Sequence, residues 1–230
     1  MSNTPSADVS VVIAAHDEAT TIASVVAGVR AALGQRLLEI LVVDDGSTDG
    51  TGRVAEAAGA AVLRLSPNRG KGEALRVGIG RSRGAWLVFL DADGQDDPAE
   101  IPTLLAAVTP DIAMVNGSRF IGTLEGGAIS APNWVGNVAF TGLFDLLYGA
   151  RITDSQAGFR AIRGDVARSL VLHSTEYEIE TEMLAQVLRS GLRVVEVPVT
   201  RRARQGGTTD FRRIRNGLRI LRTILTERVR

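Results

Sequence analysis

Apolar positions along the chain fall into short unbroken runs that stop at acidic or glycine-rich punctuation. Val9-Ser-Val-Val-Ile-Ala14, Ile40-Leu-Val-Val43, Ala61 to Leu65, Trp86-Leu-Val-Phe-Leu90 and Ile112 to Asn116 have the length and composition of strands buried on both faces. Between them lie helical stretches: from Asp17 or Thr20 to about Leu33, over 51–58, from Gly70 to Arg81, and one starting near Pro98. This alternation predicts an α/β fold with a mostly parallel central sheet and helices on both faces, Rossmann-like in character. Ligands of such sheets bind beyond the carboxyl ends of the strands. Acidic clusters follow two of the predicted strands there, Asp44-Asp45 and Asp91 to Asp93.

The second half is less regular. Residues 117–133 are glycine-rich and read as a loop. Asn133 to Leu147 and Tyr177 to Arg189 read as helices, and Arg193 to Val197 as a strand. Phe211, Ile214, Leu218, Leu221 and Leu225 recur at helical spacing, which predicts an amphipathic tail helix with one apolar stripe. No internal repeat or dividing linker is visible, so one domain over 1–210 followed by a basic helix over 211–230 is expected.

Composition narrows the picture. A chain of 230 residues can bury a sizeable core, which must be mainly aliphatic because aromatics are only 4 %. The absence of cysteine excludes disulfides and thiolate metal sites and fits a reducing compartment. No charged n-region precedes an apolar h-region, and no run of about 18 apolar residues occurs. Neither a secretory signal nor a membrane span is expected. Net charge is zero, yet residues 201–230 carry ten Arg against Asp210 and Glu227, a local +8. Such a tail suits an anionic partner (phosphate, nucleic acid or a membrane surface) or is simply a solvated helix. Lys71 is the only lysine among 26 basic residues, which singles it out where a compact point charge is needed.

Three constellations carry chemistry. Asp91 and Asp93, flanking Ala92 at a strand end, can chelate a hard divalent cation that neutralises a diphosphate, with Gln95 as a further oxygen ligand. An EF-hand is excluded, since Gly94 stands at loop position 4 and Pro102 at position 12, where the bidentate Glu is required. The plain alternative is a turn capping the helix near Pro98. In Asp44-Asp45-Gly-Ser-Thr-Asp49, Asp44 could accept bonds from a nucleobase or ribose and Asp49 could cap the next helix. Asn68-Arg-Gly-Lys-Gly72 places Lys71 between two glycines at a helix start, where free amides and a cation favour phosphate. Neither a P-loop nor a dinucleotide fingerprint is present.

These segments, with Val11-Val-Ile-Ala-Ala-His-Asp-Glu18, come in the order and spacing of family 2 glycosyltransferases. Within that family the chain resembles the polyprenyl-phosphate branch, the dolichyl-phosphate mannose or glucose synthase-like enzymes. Asn116-Gly-Ser-Arg-Phe120, Thr153-Asp-Ser-Gln-Ala-Gly-Phe-Arg160, Tyr177-Glu-Ile-Glu-Thr-Glu-Met183 and Glu196-Val-Pro-Val199 with Arg204-Gln-Gly-Gly-Thr-Thr209 support the branch. The resemblance covers about residues 8–210. It implies a GT-A fold and an inverting hexosyl transfer from a nucleotide-diphosphate sugar, GDP-mannose or a UDP-sugar, to a lipid monophosphate. It implies a nucleoside pocket lined by Ala14, His16 and Glu18, with Asp44 on the base or ribose. It implies Mg²⁺ or Mn²⁺ on Asp91, Asp93 and Gln95, making Asp93 catalytic, and phosphate contacts from Arg119 and Arg204. Ala14, His16 and Asp17 depart from the usual proline, aromatic and asparagine of the first motif, and Thr123 to Val135 lacks the second arginine found in membrane-associated relatives.

A phosphate acceptor also has a physical rationale. A phosphomonoester is largely deprotonated near neutrality, with a second pKa of about 6, so no general base is required. A hydroxyl acceptor would need one, and Asp154 or Glu182 could serve; otherwise they orient Arg160, Arg119 or loop backbone. The expected location is cytoplasmic, peripheral on the inner membrane face, with no nucleic-acid partner. A nucleotidyltransferase and a non-catalytic binding module are the competing classes. His16-Asp17-Glu18 after the first strand argues against the former, and the Asp91, Asp93 and Lys71 set against the latter.

Overall fold

The structure is a computed structural model and describes residues 7–204 and the helix from 213 to the end, the side chain of Arg213 excepted. The Gln205 to Thr209 motif, Phe211 and Arg212 lie outside the described residues. Among the described residues seven strands form one sheet: β1 (Val9–Ala15), β2 (Leu37–Asp45), β3 (Ala61–Leu65), β4 (Trp86–Asp91), β5 (Ile112–Leu124), β6 (Arg160–Arg163) and β7 (Arg193–Arg201). Their spatial order is β3-β2-β1-β4-β6-β5-β7. The β1–β2, β1–β4, β2–β3 and β5–β7 pairs are parallel, and β6 alone runs against its neighbours β4 and β5. The helices are α1 (Ile22–Leu33), α2 (Thr51–Ala57), α3 (Lys71–Arg81), α4 (Ile101–Ala106), α5 (Ala131–Tyr148), α6 (Gly164–Ser169), α7 (Ile179–Arg189) and α8 (Arg213–Val229).

The apolar runs become strands because both faces are covered. Val9, Val11 and Ile13 point into a core shared with α1 and α4, whereas Val12 and Phe89 point into a second core with α3, α5, α7 and α8. Ala14 lies beside Asp91 of β4, and Ala15 beside Asp44 of β2. Both acidic clusters therefore share one carboxyl edge, as the strand pattern predicts.

The expected loop over 117–133 is corrected in its first part. β5 continues to Leu124 and, after an irregularity beyond Ser118, pairs Thr123 and Leu124 with Thr200 and Arg201. Gly117 and Gly122 are not loop-formers here but points of close backbone approach. A Cβ on Gly122 would sit 2.0 Å from the Val199 carbonyl oxygen. Gly122→Ala should force this arm off β7 and cost about 2 kcal/mol, read as a melting point lower by roughly 4–8 °C; an unchanged melting point would contradict the arm's role.

The tail helix, α8, packs on the domain through a face other than the predicted stripe. Its buried face is Asn216, Ile220, Ile224 and Glu227, packed on Phe144 and Tyr148 of α5 and on α7. Tyr148 donates to the Ile224 carbonyl at 2.9 Å, and Arg189 of α7 pairs with Glu227 at 3.3 Å. Of the predicted stripe, Ile214 is 82 % exposed, Leu218 63 % and Leu225 48 %, while Leu221 is half-buried. The helix has two apolar faces, and on the one that goes inside the buried Glu227 is paired with Arg189 and Arg230. No described helix is long and apolar enough to cross a membrane.

Candidate active site

The site is built on the end of β4. Asp91 Oδ1 accepts a bond from Lys71 Nζ at 2.6 Å, and the same ammonium is 2.7 Å from Glu180 at the start of α7. Lys71 is half-enclosed, with the Tyr177 ring 5.5 Å from its nitrogen. Burial alone would lower its pKa, but the charges of Asp91 and Glu180 outweigh that and hold it above the usual lysine range.

The loop before Lys71 does a different job from the one its glycines suggested. The amides of Arg69 and Gly70 donate to Asp45, and the amide of Gly72 donates to the Thr175 carbonyl. They are not free to cradle a phosphate. Gly70 and Gly72 are required because a Cβ at either would meet the Thr175 or Ser174 carbonyl at 2.2 and 2.4 Å. The loop aims one ammonium at Asp91, and Asp45 is the residue that fixes its path.

Beyond Asp91 the chain turns so that Asp93 Oδ1 accepts from the Gln95 amide and Asp96 Oδ2 accepts from the Asp91 amide. Burial, and then the neighbouring charge of Asp91, push the Asp93 carboxyl up to about 6. Burial acts on Asp91 in the same sense, but Lys71 and Arg201 dominate and hold it well below the carboxylate range. Two adjacent carboxylates are thus pushed apart by their partners.

The three expected metal ligands converge on one point. Arg201 Nη2 lies 3.0 Å from Gln95 Oε1, 3.5 Å from Asp91 Oδ2 and 3.7 Å from Asp93 Oδ2. A cationic nitrogen already sits where these oxygens meet, so the donor set fits a hard cation. Among the described residues no three His, Cys, Asp or Glu side chains form a metal-holding group. Two carboxylates and an amide oxygen suit a cation that keeps waters and takes its remaining ligands from a diphosphate.

Ala14, His16, Glu18, Lys71, Asp91, Ala92, Asp93, Gln95, Arg119 and Arg204 all line one cavity of about 700 Å³. Asp44 is not part of that lining; its Oδ1 accepts from the Ser47 amide, and its Oδ2 packs against Gly52. Asp49 accepts from the amides of Ala19 and Thr51, tying the start of α2 to the β1 loop, while Gly50 rather than Asp49 stands at the N-cap. Glu18 accepts from Arg204 and Thr21; burial raises its pKa against the opposing charge of Arg204. His16 Nδ1 is buried without a hydrogen-bond partner. Arg119 is clamped by fully buried Asp154 through bonds of 2.6 and 2.8 Å. Glu182 accepts from the amides of His173 and Ser174. Asp154 thus holds Arg119, and Glu182 holds the loop backbone at His173 and Ser174.

The sequence reading missed Arg201, Asp96 and Glu180. Arg201 ends β7 four residues beyond the predicted strand and sits in a basic run that read as part of the tail. Glu180 lay within the predicted Tyr177 to Arg189 helix with no signal of its own, and Asp96 stood next to the Asp91, Asp93 and Gln95 set without being counted in it.

Comparison with known proteins decides the family. The sequence matches the glycosyl transferase family 2 profile over residues 10–170. The chain belongs to glycosyl transferase family 2. This glycosyltransferase is 32 % identical over 204 residues to glycosyltransferase AglJ of Haloferax volcanii, covering 88 % of this chain and 66 % of that protein. It is 35 % identical to the undecaprenyl-phosphate mannosyltransferase of Micrococcus luteus, with 70 % of this chain and 71 % of that one covered. It is 32 % identical to the polyprenol monophosphomannose synthase of Mycolicibacterium smegmatis, with 87 % and 80 % covered. The chain thus spans just under two thirds of the first of these relatives. Its fold is that of the GT-A enzymes: glucosyl-3-phosphoglycerate synthase from Mycobacterium tuberculosis, solved with Mn²⁺, UDP and glucosyl-3-phosphoglycerate, superposes with a TM-score of 0.77 at 24 % identity, covering 96 % of this chain and 79 % of that one.

Proposed function

We propose that this glycosyltransferase moves a hexose from a nucleotide-diphosphate sugar, GDP-mannose or a UDP-sugar, to the phosphate of a polyprenyl-type lipid, with inversion at the anomeric carbon. The observation that supports the acceptor is the lining of the cavity. Besides Asp91, Asp93 and Arg119 it includes Pro132, Asn133, Asn137 and Phe140 of α5 and Ile214, Gly217 and Ile220 of α8. A cavity that joins a charged cluster to apolar side chains of two helices suits a molecule with a phosphate head and a hydrocarbon tail. The names of the Micrococcus and Mycolicibacterium relatives support the same acceptor class.

In this reading an acceptor phosphate oxygen attacks the anomeric carbon as the bond to the donor diphosphate breaks. Asp91, Asp93 and Gln95 would hold Mg²⁺ or Mn²⁺, which when bound neutralises the departing diphosphate. Arg119, locked by Asp154, presents a fixed positive charge to the acceptor phosphate, and Arg204 reaches the same cavity from beside Glu18. Ala14, His16 and Glu18 form the wall on which the nucleoside would rest. The attacking oxygen carries no proton, which matches a site whose buried acids are engaged by arginine, lysine and backbone.

The outer faces of α5 and α8 extend the reading to a peripheral membrane location on the cytoplasmic leaflet. Trp134, Val138 and Leu146 on α5 are exposed, as are Ile214, Leu218 and Leu225 with Arg215 and Arg222 on α8. Such a surface suits an anionic interface. The triple change of Ile214, Leu218 and Leu225 to Ser, which leaves the buried face of α8 intact, should abolish co-sedimentation with phosphatidylglycerol vesicles; undiminished sedimentation would contradict the proposed location. The function itself is tested by nucleotide release from a donor panel with Mg²⁺ or Mn²⁺. A short polyprenyl phosphate should stimulate release from one donor, whereas stimulation by a soluble phosphate or hydroxyl acceptor instead would overturn the lipid reading.

A further inference from the structure

Arg201 is only 12 % exposed, and its two terminal nitrogens have different tasks. Nη2 faces Gln95, Asp91 and Asp93, the three residues expected to hold the metal. Nη1 donates to Asp96 Oδ1 at 2.6 Å, and Asp96 is itself almost wholly buried, its other oxygen held by the Asp91 amide. The backbone beside it is also pinned, because the Arg202 amide donates to the Gln95 carbonyl at 2.8 Å and Gln95 Nε2 donates to the Arg202 carbonyl at 2.9 Å.

A divalent ion bonded to these oxygens stands about 2.0–2.6 Å from them. A guanidinium nitrogen 3.0–3.7 Å from the same oxygens occupies the same space. Both cannot be there unless Nη2 swings away. Asp96 allows that swing without release, since it grips the other nitrogen. The charges nearby make the exchange favourable once a donor arrives. Among the described residues around the cluster, Glu18, Asp91, Asp93, Asp96 and Glu180 face Lys71, Arg201 and Arg204, which leaves two formal negative charges. One divalent cation balances them. An arriving diphosphate then adds negative charge at the point where a displaced Nη2 would be.

We infer that Arg201 is a tethered counter-cation: it competes with the divalent metal for Asp91, Asp93 and Gln95, and when displaced it turns, still held by Asp96, onto the donor diphosphate. Metal and nucleotide then bind as partners, each strengthening the other, and the carboxylates do not face one another uncompensated between turnovers. The inference rests on the metal–diphosphate reading of the site.

Mn²⁺ binding to the full chain without nucleotide, read from the electron paramagnetic resonance signal of the free ion, tests it. Arg201→Gln removes the competing charge and should tighten Mn²⁺ at least about tenfold, since two like charges this close repel appreciably even in water. In the same variant UDP or GDP binding at saturating Mn²⁺ should weaken. Arg201→Lys keeps a cation and should leave the Mn²⁺ affinity near that of the unaltered protein, which also serves if the glutamine variant does not fold. An unchanged or weaker Mn²⁺ affinity in a folded Arg201→Gln protein, or a tenfold gain in Arg201→Lys, would overturn the inference while leaving the metal site standing. Absence of Mn²⁺ binding in every form, with nucleotide present or not, would overturn the metal reading and the inference together.

Discussion

Asp93→Asn should lower donor turnover by about three orders of magnitude and yet make the protein more stable in the presence of a chelator. The loss follows from the site's task. Removing one group that stabilises charge on a leaving group costs about 10²–10³ in rate, and here the group is also one of two carboxylates for the cation. Asparagine keeps an oxygen to accept the Gln95 amide, so the turn from Asp91 to Asp96 survives. The stability gain follows from the strain on the native carboxyl. Its pKa is pushed up from 3.8 to about 6 by burial and by Asp91, so the folded protein prefers it neutral. Below pH 4 both folded and unfolded chains carry the proton and nothing is lost. As pH rises from about 4 to 6 the unfolded chain releases its proton first and stability falls; above about 6 the full penalty remains. The asparagine variant lacks this decline and should gain about 1–3 kcal/mol at pH 7. Denaturant unfolding in a chelator across this range measures it, and a variant no more stable at pH 7 than the parent would refute the electrostatic account.

Lys71→Met should act in the opposite sense. It leaves Asp91 and Glu180 facing each other across the space of one ammonium that now bonds both, at 2.6 and 2.7 Å. Breaking a buried charge set by deleting one partner costs about 3–5 kcal/mol, and Glu180 is only 3 % exposed. Methionine fills most of the volume, so the loss reports charge rather than packing. Arginine should not rescue fully, because its planar fork cannot stand in for a compact point charge between two carboxylates. Denaturant midpoints decide: a loss below about 1 kcal/mol would show that the three groups are far better hydrated than their burial implies.

The sheet was readable because β1, β2 and β4 are mostly apolar on both faces, with acids at the ends of β2 and β4, a signal that does not depend on distant contacts. β6 was not readable. Arg160 to Arg163 holds two apolar residues between two arginines, and it becomes a strand only because β4 and β5 stand on either side of it. The arm of β5 was hidden for a related reason: Gly117 and Gly122 look like loop residues until the Phe159 and Val199 backbones are seen to need the space. In the tail helix the spacing of apolar residues was correct, but two apolar faces compete, and only the packing of α5 and α7 selects Ile220 and Ile224. The site divides similarly. Asp91, Asp93, Gln95 and Lys71 are local in sequence to recognisable strand and helix ends. Arg201, 110 residues from Asp91, meets it only through the β5–β7 pairing at the far edge of the sheet.

The most direct test of the central claim is transfer of a radiolabelled hexose from nucleotide-sugar donors into organic-phase product, with a short polyprenyl phosphate, Mn²⁺ and the full chain. Label in the organic phase with one donor, abolished by chelator and by Asp93→Asn, is the predicted result. Label that stays in the aqueous phase with every donor, while a soluble acceptor takes it up, would contradict the proposed reaction.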